Sequence, residues 1–482
     1  MKNSFGYKPQ SERKKILLLC DDIRMHSGIG NMGKEIVLKT AQHFNWFNLG
    51  AGINHPEVGK LMDLSGETNN LTGLEDSWVR VLPFNGYGNP DIVRQIVKQE
   101  KIDAIMIFTD PRYWVWLFQI EREIRSTIPI VYLNIWDDLP APLYNRTYYQ
   151  SVDALLAISK QTKLLNELIL GEEAKEKVIE YVPHGIDETY FFPLNEDAED
   201  YEEFKQIRNQ IFDGKDIKFS ILFNSRNIRR KSTSDLILAY SRFCELIGKE
   251  EAKKCALILH TEPTLNEGTD LVAVKDAFCD PEYVNVFFST NKLTTKQLNY
   301  LYNIADVTIL PSSNEGWGLS LTESMMTGTM IIGNVTGGMQ DQMRFVDKKG
   351  KWYTPTKDIP SNHRGTFKKC GEWAIPVFPA SIHLQGSPPT PYIFDDKCLP
   401  EDIANSILEV WKLTPEERKT RGLAGREWAT SEEAGFTATR MGNKVIDCID
   451  KTLDTFKPRP QYDIIKVEDS KPDLIPHKLF DY

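Results

Sequence analysis

Two glutamates eight positions apart, Glu315 and Glu323, bracket the run Pro311-Ser-Ser-Asn-Glu-Gly-Trp-Gly-Leu-Ser-Leu-Thr-Glu323. An apolar stretch, Asp306-Val-Thr-Ile-Leu310, precedes this run, and a helix is expected from Leu319 to about Thr327. A glycine-rich turn between strand and helix offers an anion backbone N–H groups and the positive end of the helix. The carboxylates add acceptors for hydroxyl groups. A ligand carrying both phosphate and many hydroxyls suits the arrangement, and a nucleotide sugar carries both. The plainer reading is a tight turn with a capping glutamate.

Three further clusters could share that chemistry. Arg226-Asn-Ile-Arg-Arg-Lys231 follows an apolar strand, where Arg226 could fork onto phosphate oxygens and Lys231 could supply a compact charge. A solvated basic loop is the alternative. Met25-His-Ser-Gly-Ile-Gly-Asn-Met-Gly33 lacks the lysine of a phosphate-binding P-loop and an acidic partner for dinucleotide binding, so Gly28 and Gly30 are read as permitting close backbone approach. Asn134-Ile-Trp-Asp-Asp-Leu-Pro140 brings Asp137 and Asp138 to a strand end, as a general base, an acceptor-binding group or a helix cap. His184, in Pro-His-Gly-Ile-Asp187, is read as a hinge residue holding a carbonyl, and the segment 336–342 as a mobile loop beside the same ligand.

The elements that must position these residues alternate. Strands are expected over 16–20, 103–108, 130–135, 154–158 and 178–182, with helices over 91–100, 114–125 and 160–169. A second series has strands over 218–223, 256–260, 285–288, 306–310 and 330–333, with helices over 234–246, 295–304 and 319–327. Such alternation predicts an α/β protein with two Rossmann-like, doubly wound parallel-sheet domains facing a cleft. The boundaries read are 1–190 for an acceptor-side domain, 191–435 for a nucleotide-sugar-binding domain, and 436–482 for a helix crossing back and an extended tail. A hinge is expected over 183–193. The proline-rich segment 345–396 is long for a loop, which implies a function or small elements within it.

A chain of 482 residues is too long for one core, and its 26% charged and 41% hydrophobic residues suit a globular protein. The formal charge of −10 disfavours non-specific attachment to DNA or an anionic membrane. Seven scattered cysteines without C-x-x-C spacing argue against a disulfide framework or zinc site and suit a reducing cytoplasm. The apolar run 16–19 is too short for a signal or membrane helix.

The pattern Pro-Ser-x-x-Glu-Gly-x-Gly-Leu-x-x-x-Glu323, with Arg226-x4-Lys231 and Val-Pro-His-Gly-Ile-Asp187, resembles the retaining glycosyltransferases of family 4, which have the GT-B fold. The runs Arg24-Met-His-Ser-Gly28, 134–140 and 336–343 look like phage-encoded members. The resemblance implies that Arg226 and Lys231 bind the donor diphosphate and stabilise its departure. Glu323 would then hold the ribose and Glu315 the transferred sugar. Backbone N–H groups of Leu319 and Ser320 would cradle phosphate, helped by the turn at Gly316 and Gly318. Gly28, Gly30, Gly337 and Gly338 would line the walls. It implies no metal or other cofactor and no protein nucleophile. Asp137 stands where many members carry a histidine. The implied activity is transfer of a hexosyl or pentosyl group to a saccharide, protein or other hydroxyl in the cytoplasm, with a phage DNA carrying hydroxymethylated pyrimidine as the alternative acceptor. A nucleotide-sugar epimerase or hydrolase and a non-catalytic binding module are the other readings.

Overall fold

The computed structural model describes residues 6–52, 56–460 and 462, so most of the expected extended tail lies outside the described residues. Eight strands form the first sheet: β1 (Lys14–Asp21), β2 (Phe44–Ala51), β3 (Met62–Asp63), β4 (Val79–Pro83), β5 (Ala104–Phe108), β6 (Ile130–Asn134), β7 (Ala154–Ala157) and β8 (Val178–Tyr181). Their order is β3-β4-β2-β1-β5-β6-β7-β8, and every pairing except β3–β4 is parallel. The second sheet is parallel and contains β9 (Phe219–Asn224), β10 (Cys255–His260), β11 (Val286–Ser289), β12 (Val307–Leu310), β13 (Met330–Asn334) and β14 (Ala374–Val377), in the order β11-β10-β9-β12-β13-β14. Helices cover both faces of each sheet, which is why residues 16–20 of β1 and all of β5 are continuous apolar runs rather than alternating ones.

In each sheet the chain leaves a central strand in two directions. β1 lies between β2 and β5, and β9 lies between β10 and β12. Ligands of open α/β sheets bind beyond the carboxyl ends of strands at such a reversal. The loops leaving β1 and β5, and those leaving β9 and β12, are therefore the ones placed to meet a ligand.

Three expectations change. The helix expected over 114–125 is a 3-10 turn, Pro111–Trp114, followed by two short helices, Val115–Gln119 and Glu121–Ile124, broken at Ile120. The segment 336–342 is not a loosely held loop: Met339–Met343 is a buried helical turn. Within 345–396 lie β14 and an antiparallel hairpin of β15 (Ser381–Ser387) and β16 (Thr390–Lys397).

The late helix, Ala438–Thr455, packs against the helix Gly28–Thr40 and strands β7 and β8. There Gly442 is close-packed: a Cβ would lie 2.7 Å from Lys39 Cβ. His43 Nε2 pairs with Asp450 Oδ2 at 2.7 Å across the same contact. All seven cysteines are free. No helix among the described residues is long and apolar enough to cross a membrane.

Candidate active site

The loop leaving β9 ends in the 3-10 turn Arg229–Lys231, and the loop leaving β12 is the turn 311–318. Because β9 and β12 are neighbours, Lys231 reaches Glu315 and its ammonium sits against Oε2; only 9% and 11% of these side chains are exposed. Arg230 joins them, with Nη1 donating to Asn314 O at 2.7 Å and lying 3.3 Å from Glu315 Oε2. Burial alone would raise the Glu315 pKa, but Lys231 and Arg230 outweigh it and hold the carboxyl below its usual range.

Gly318 has φ +87° and caps the helix Leu319–Met326 without a side chain to accept its first N–H groups. Leu319 and buried Ser320 open that helix. Gly316 is close-packed against the first domain, since a Cβ there would lie 2.9 Å from Ile135 O. Gly337 and Gly338 lie on the backbone of the turn. Gly338 N donates to Glu315 O at 3.0 Å, and a Cβ on Gly337 would come within 2.1 Å of that same oxygen.

Half-buried Glu323 accepts a hydrogen bond from the Tyr302 hydroxyl, which itself accepts from Asn224 Nδ2 at 2.8 Å. Burial raises the Glu323 carboxyl to about 7, against the opposing pull of that hydroxyl.

The first domain closes on this turn. Asn314 Nδ2 donates to Asp138 Oδ1 at 2.5 Å and to Phe394 O at 2.7 Å. Asp137 is half-buried; burial lifts its carboxyl, Arg230 pulls it down and Glu315 pushes it up, for a net rise. Gln161 Nε2 donates to Asp137 O at 2.8 Å, and Lys160 N donates to Asp341 Oδ2 at 2.9 Å. Gly28 opens its helix with Ser27 as cap, and a Cβ on Gly28 would stand 3.7 Å from Leu319 Cδ1. Gly30 is packed too tightly for a side chain, since a Cβ there would lie 2.6 Å from Met25 O. The β15–β16 hairpin straps the two halves: Phe394 N donates to Leu139 O at 2.6 Å, and Tyr144 hydroxyl donates to Tyr392 O at 2.8 Å.

Lys231, Glu315 and Asp137 thus share one site, with Glu323 at the other end of the turn. Arg226 stands apart, exposed and paired with Glu267 Oε2 at 2.9 Å. Arg230 takes the inner position instead. Its sequence signal, a cation beside Lys231, was no stronger than that of Arg229. Tyr302 gave no motif signal at all. His184 is buried between Phe108 and Trp317 with its Nδ1 unpartnered among the described residues, which is not the expected carbonyl contact.

Residues 206–359 match the family model described as glycosyl transferases group 1. No curated protein matches the sequence. Among solved structures, Anabaena HepE in complex with UDP and glucose aligns with a TM-score of 0.61 at 13% identity, over 91% of this chain and 100% of that one. A glycosyltransferase from Rickettsia africae gives 0.61 at 14% identity, over 92% and 99%. Sucrose-phosphate synthase from Thermosynechococcus elongatus gives 0.60 at 15% identity, over 92% and 100%. The chain has the GT-B fold, and its residues 206–359 are similar to the glycosyl transferases group 1 family.

Proposed function

We propose that the protein transfers a sugar from a nucleoside diphosphate to an acceptor hydroxyl with retention of anomeric configuration, as the family 4 enzymes it resembles do. The observation that carries this is the meeting of Arg230, Lys231 and Glu315 at the uncapped start of the Leu319–Met326 helix. The group 1 segment supports it, as does the likeness to a structure solved with UDP and glucose.

In this reading the diphosphate lies against the N–H groups of Leu319 and Ser320 and takes the charge of Lys231 and Arg230. Arg226 would join from the mouth after leaving Glu267. Glu315, released from part of its ion pairing, accepts from hydroxyls of the transferred sugar, and Glu323 accepts from the ribose. The walls at Gly28, Gly30, Gly337 and Gly338 admit the ligand's close approach. The acceptor hydroxyl attacks from the face the diphosphate leaves, a phosphate oxygen takes its proton, and Asp137 borders the acceptor. The protein's share is positioning and electrostatic stabilisation of the departing diphosphate. Since that charge falls to arginine and lysine, turnover is expected to survive a chelator.

Proton NMR of the product from a nucleoside-diphosphate sugar of known anomer tests the reading. An unchanged anomeric configuration is expected, and inversion would overturn retention. Free sugar released equally well without acceptor would point to a hydrolase.

A further inference from the structure

The reversal point of the first sheet carries its own cluster, distinct from the donor turn. β1 ends at Asp21, and β5 ends just before Thr109, whose φ of +125° is a backbone strain uncommon outside glycine. Thr109 turns the chain into Pro111–Trp114 and so presents Tyr113 beside Tyr87. The two rings stack at 4.0 Å with an 18° interplanar angle, and the edge of Trp114 supports Tyr87 at 5.4 Å. One face of Tyr113 is thus covered, yet 47% of the residue remains exposed. Tyr87 hydroxyl donates to Asp21 Oδ1 at 3.3 Å, and Ser27 Oγ donates to Asp21 Oδ2 at 2.6 Å. Ser27 caps the helix that begins at Gly28, and Gly28 faces Leu319 of the donor helix. A continuous line of contacts therefore runs from the donor turn to the exposed tyrosine.

We propose that Tyr113, backed by Tyr87 and Asp21, is the acceptor platform and that the acceptor is an uncharged saccharide. This rests on the transferase reading above. The C–H face of a sugar ring carries slight positive charge and lies well on the negative face of an aromatic ring, and buried Asp21 fixes the Tyr87 ring behind Tyr113 through its hydroxyl. A nucleobase would also stack on Tyr113. Charge separates the two. A polynucleotide needs free cations along its phosphates, but the nearby arginines are committed: Arg24 to Asp22 at 2.6 Å and Arg112 to Asp110. Asp21, held by hydroxyls and by no cation among the described residues, would repel phosphate.

The test uses the full-length protein with a panel of nucleoside diphosphates and their sugars. The acceptor probes are maltose, cellobiose, lactose, chitobiose and a duplex containing 5-hydroxymethylcytosine. Ligand-observed NMR is expected to show binding of at least one disaccharide, and transfer to it is expected. Tyr113→Ala should raise the acceptor KM by about threefold to tenfold, the size of one lost aromatic contact. Affinity for the nucleoside diphosphate should stay unchanged, and Tyr113→Trp should restore the KM. Binding of no disaccharide, transfer to the duplex alone, or an unaltered saccharide KM in Tyr113→Ala would each overturn the platform. Failure of every nucleoside diphosphate to bind would instead remove the transferase reading on which it rests. A Tyr113→Ala protein with reduced stability is judged by Tyr113→Trp, whose KM must match that of the unchanged protein.

Discussion

Lys231 and Glu315 form a buried ion pair between the loops that leave neighbouring strands β9 and β12, with Arg230 completing a two-cation, one-carboxylate cluster. Removing either partner is not equivalent. Glu315→Gln leaves buried Lys231 and the partly exposed Arg230 side by side without their shared carboxylate, whereas Lys231→Met leaves Glu315 still paired with Arg230. Breaking a buried pair from one side costs about 3–5 kcal/mol. Urea unfolding should therefore show Glu315→Gln as the more destabilised variant. A nucleoside diphosphate should restore it in part by supplying the missing negative charge. Equal losses in both variants would mean that Arg230 does not share the carboxylate.

Glu323 is expected to make stability, and donor binding in the proposed reading, depend on pH. Its carboxyl titrates near 7 in the folded protein against an ordinary value of 4.5, because burial disfavours its charge. The folded state then binds the proton more tightly, so this stabilisation is full below 4.5 and is lost as pH rises towards 7. Glu323→Gln should remove that loss, and its advantage over the unchanged protein should grow by up to about 3 kcal/mol across the window. Donor affinity should move the other way, strengthening as pH rises through 7 and the carboxylate forms. A pH series of melting curves and titrations with a nucleoside-diphosphate sugar checks both slopes.

Asn314 ties the turn 311–318 to Asp138 and to the strap at Phe394. Asn314→Ala leaves the half-buried Asp138 carboxyl without its donor beside a second carboxyl, at a cost of about 1–3 kcal/mol. Turnover should fall further than donor affinity, because the lost contacts join the two halves and do not hold the nucleotide. Equal effects on both would place Asn314 in the donor site itself.

Gly337→Ala puts a methyl group 2.1 Å from Glu315 O at a residue with φ +48°, so the turn must move or the fold must loosen. A loss of roughly 3 kcal/mol or more is expected. Gly66→Ala is the control: it meets nothing within 4 Å in the helix Ser65–Thr72 and should be neutral or slightly stabilising. A melting-temperature comparison settles the pair.

Much of this architecture was legible because buried parallel strands advertise themselves as apolar runs. β2 escaped notice because Asn45 and Asn48 interrupt its run, Phe-Asn-Trp-Phe-Asn-Leu-Gly-Ala. Both are buried with their amide nitrogens donating to backbone, Asn45 Nδ2 to Gln10 O at 3.0 Å and Asn48 Nδ2 to Leu18 O at 3.2 Å. No local pattern announces partners that distant in sequence. The β15–β16 hairpin was hidden because Pro388 and Pro389 read as loop, and its outer strand is largely exposed. At the site, Glu315, Glu323 and Lys231 stood out by type and spacing. Which of the clustered arginines turns inward depends on the 3-10 turn after β9, a backbone detail that spacing does not encode.

A nucleotide-sugar donor site at the turn 311–323 would be registered by titration calorimetry of nucleoside diphosphates against the protein and its Glu323→Ala variant. Binding of at least one nucleoside diphosphate is expected, weakened about tenfold or more in the variant, a loss of at least about 1.4 kcal/mol. Absence of binding by every nucleoside diphosphate, or binding that Glu323→Ala leaves unchanged, would contradict it.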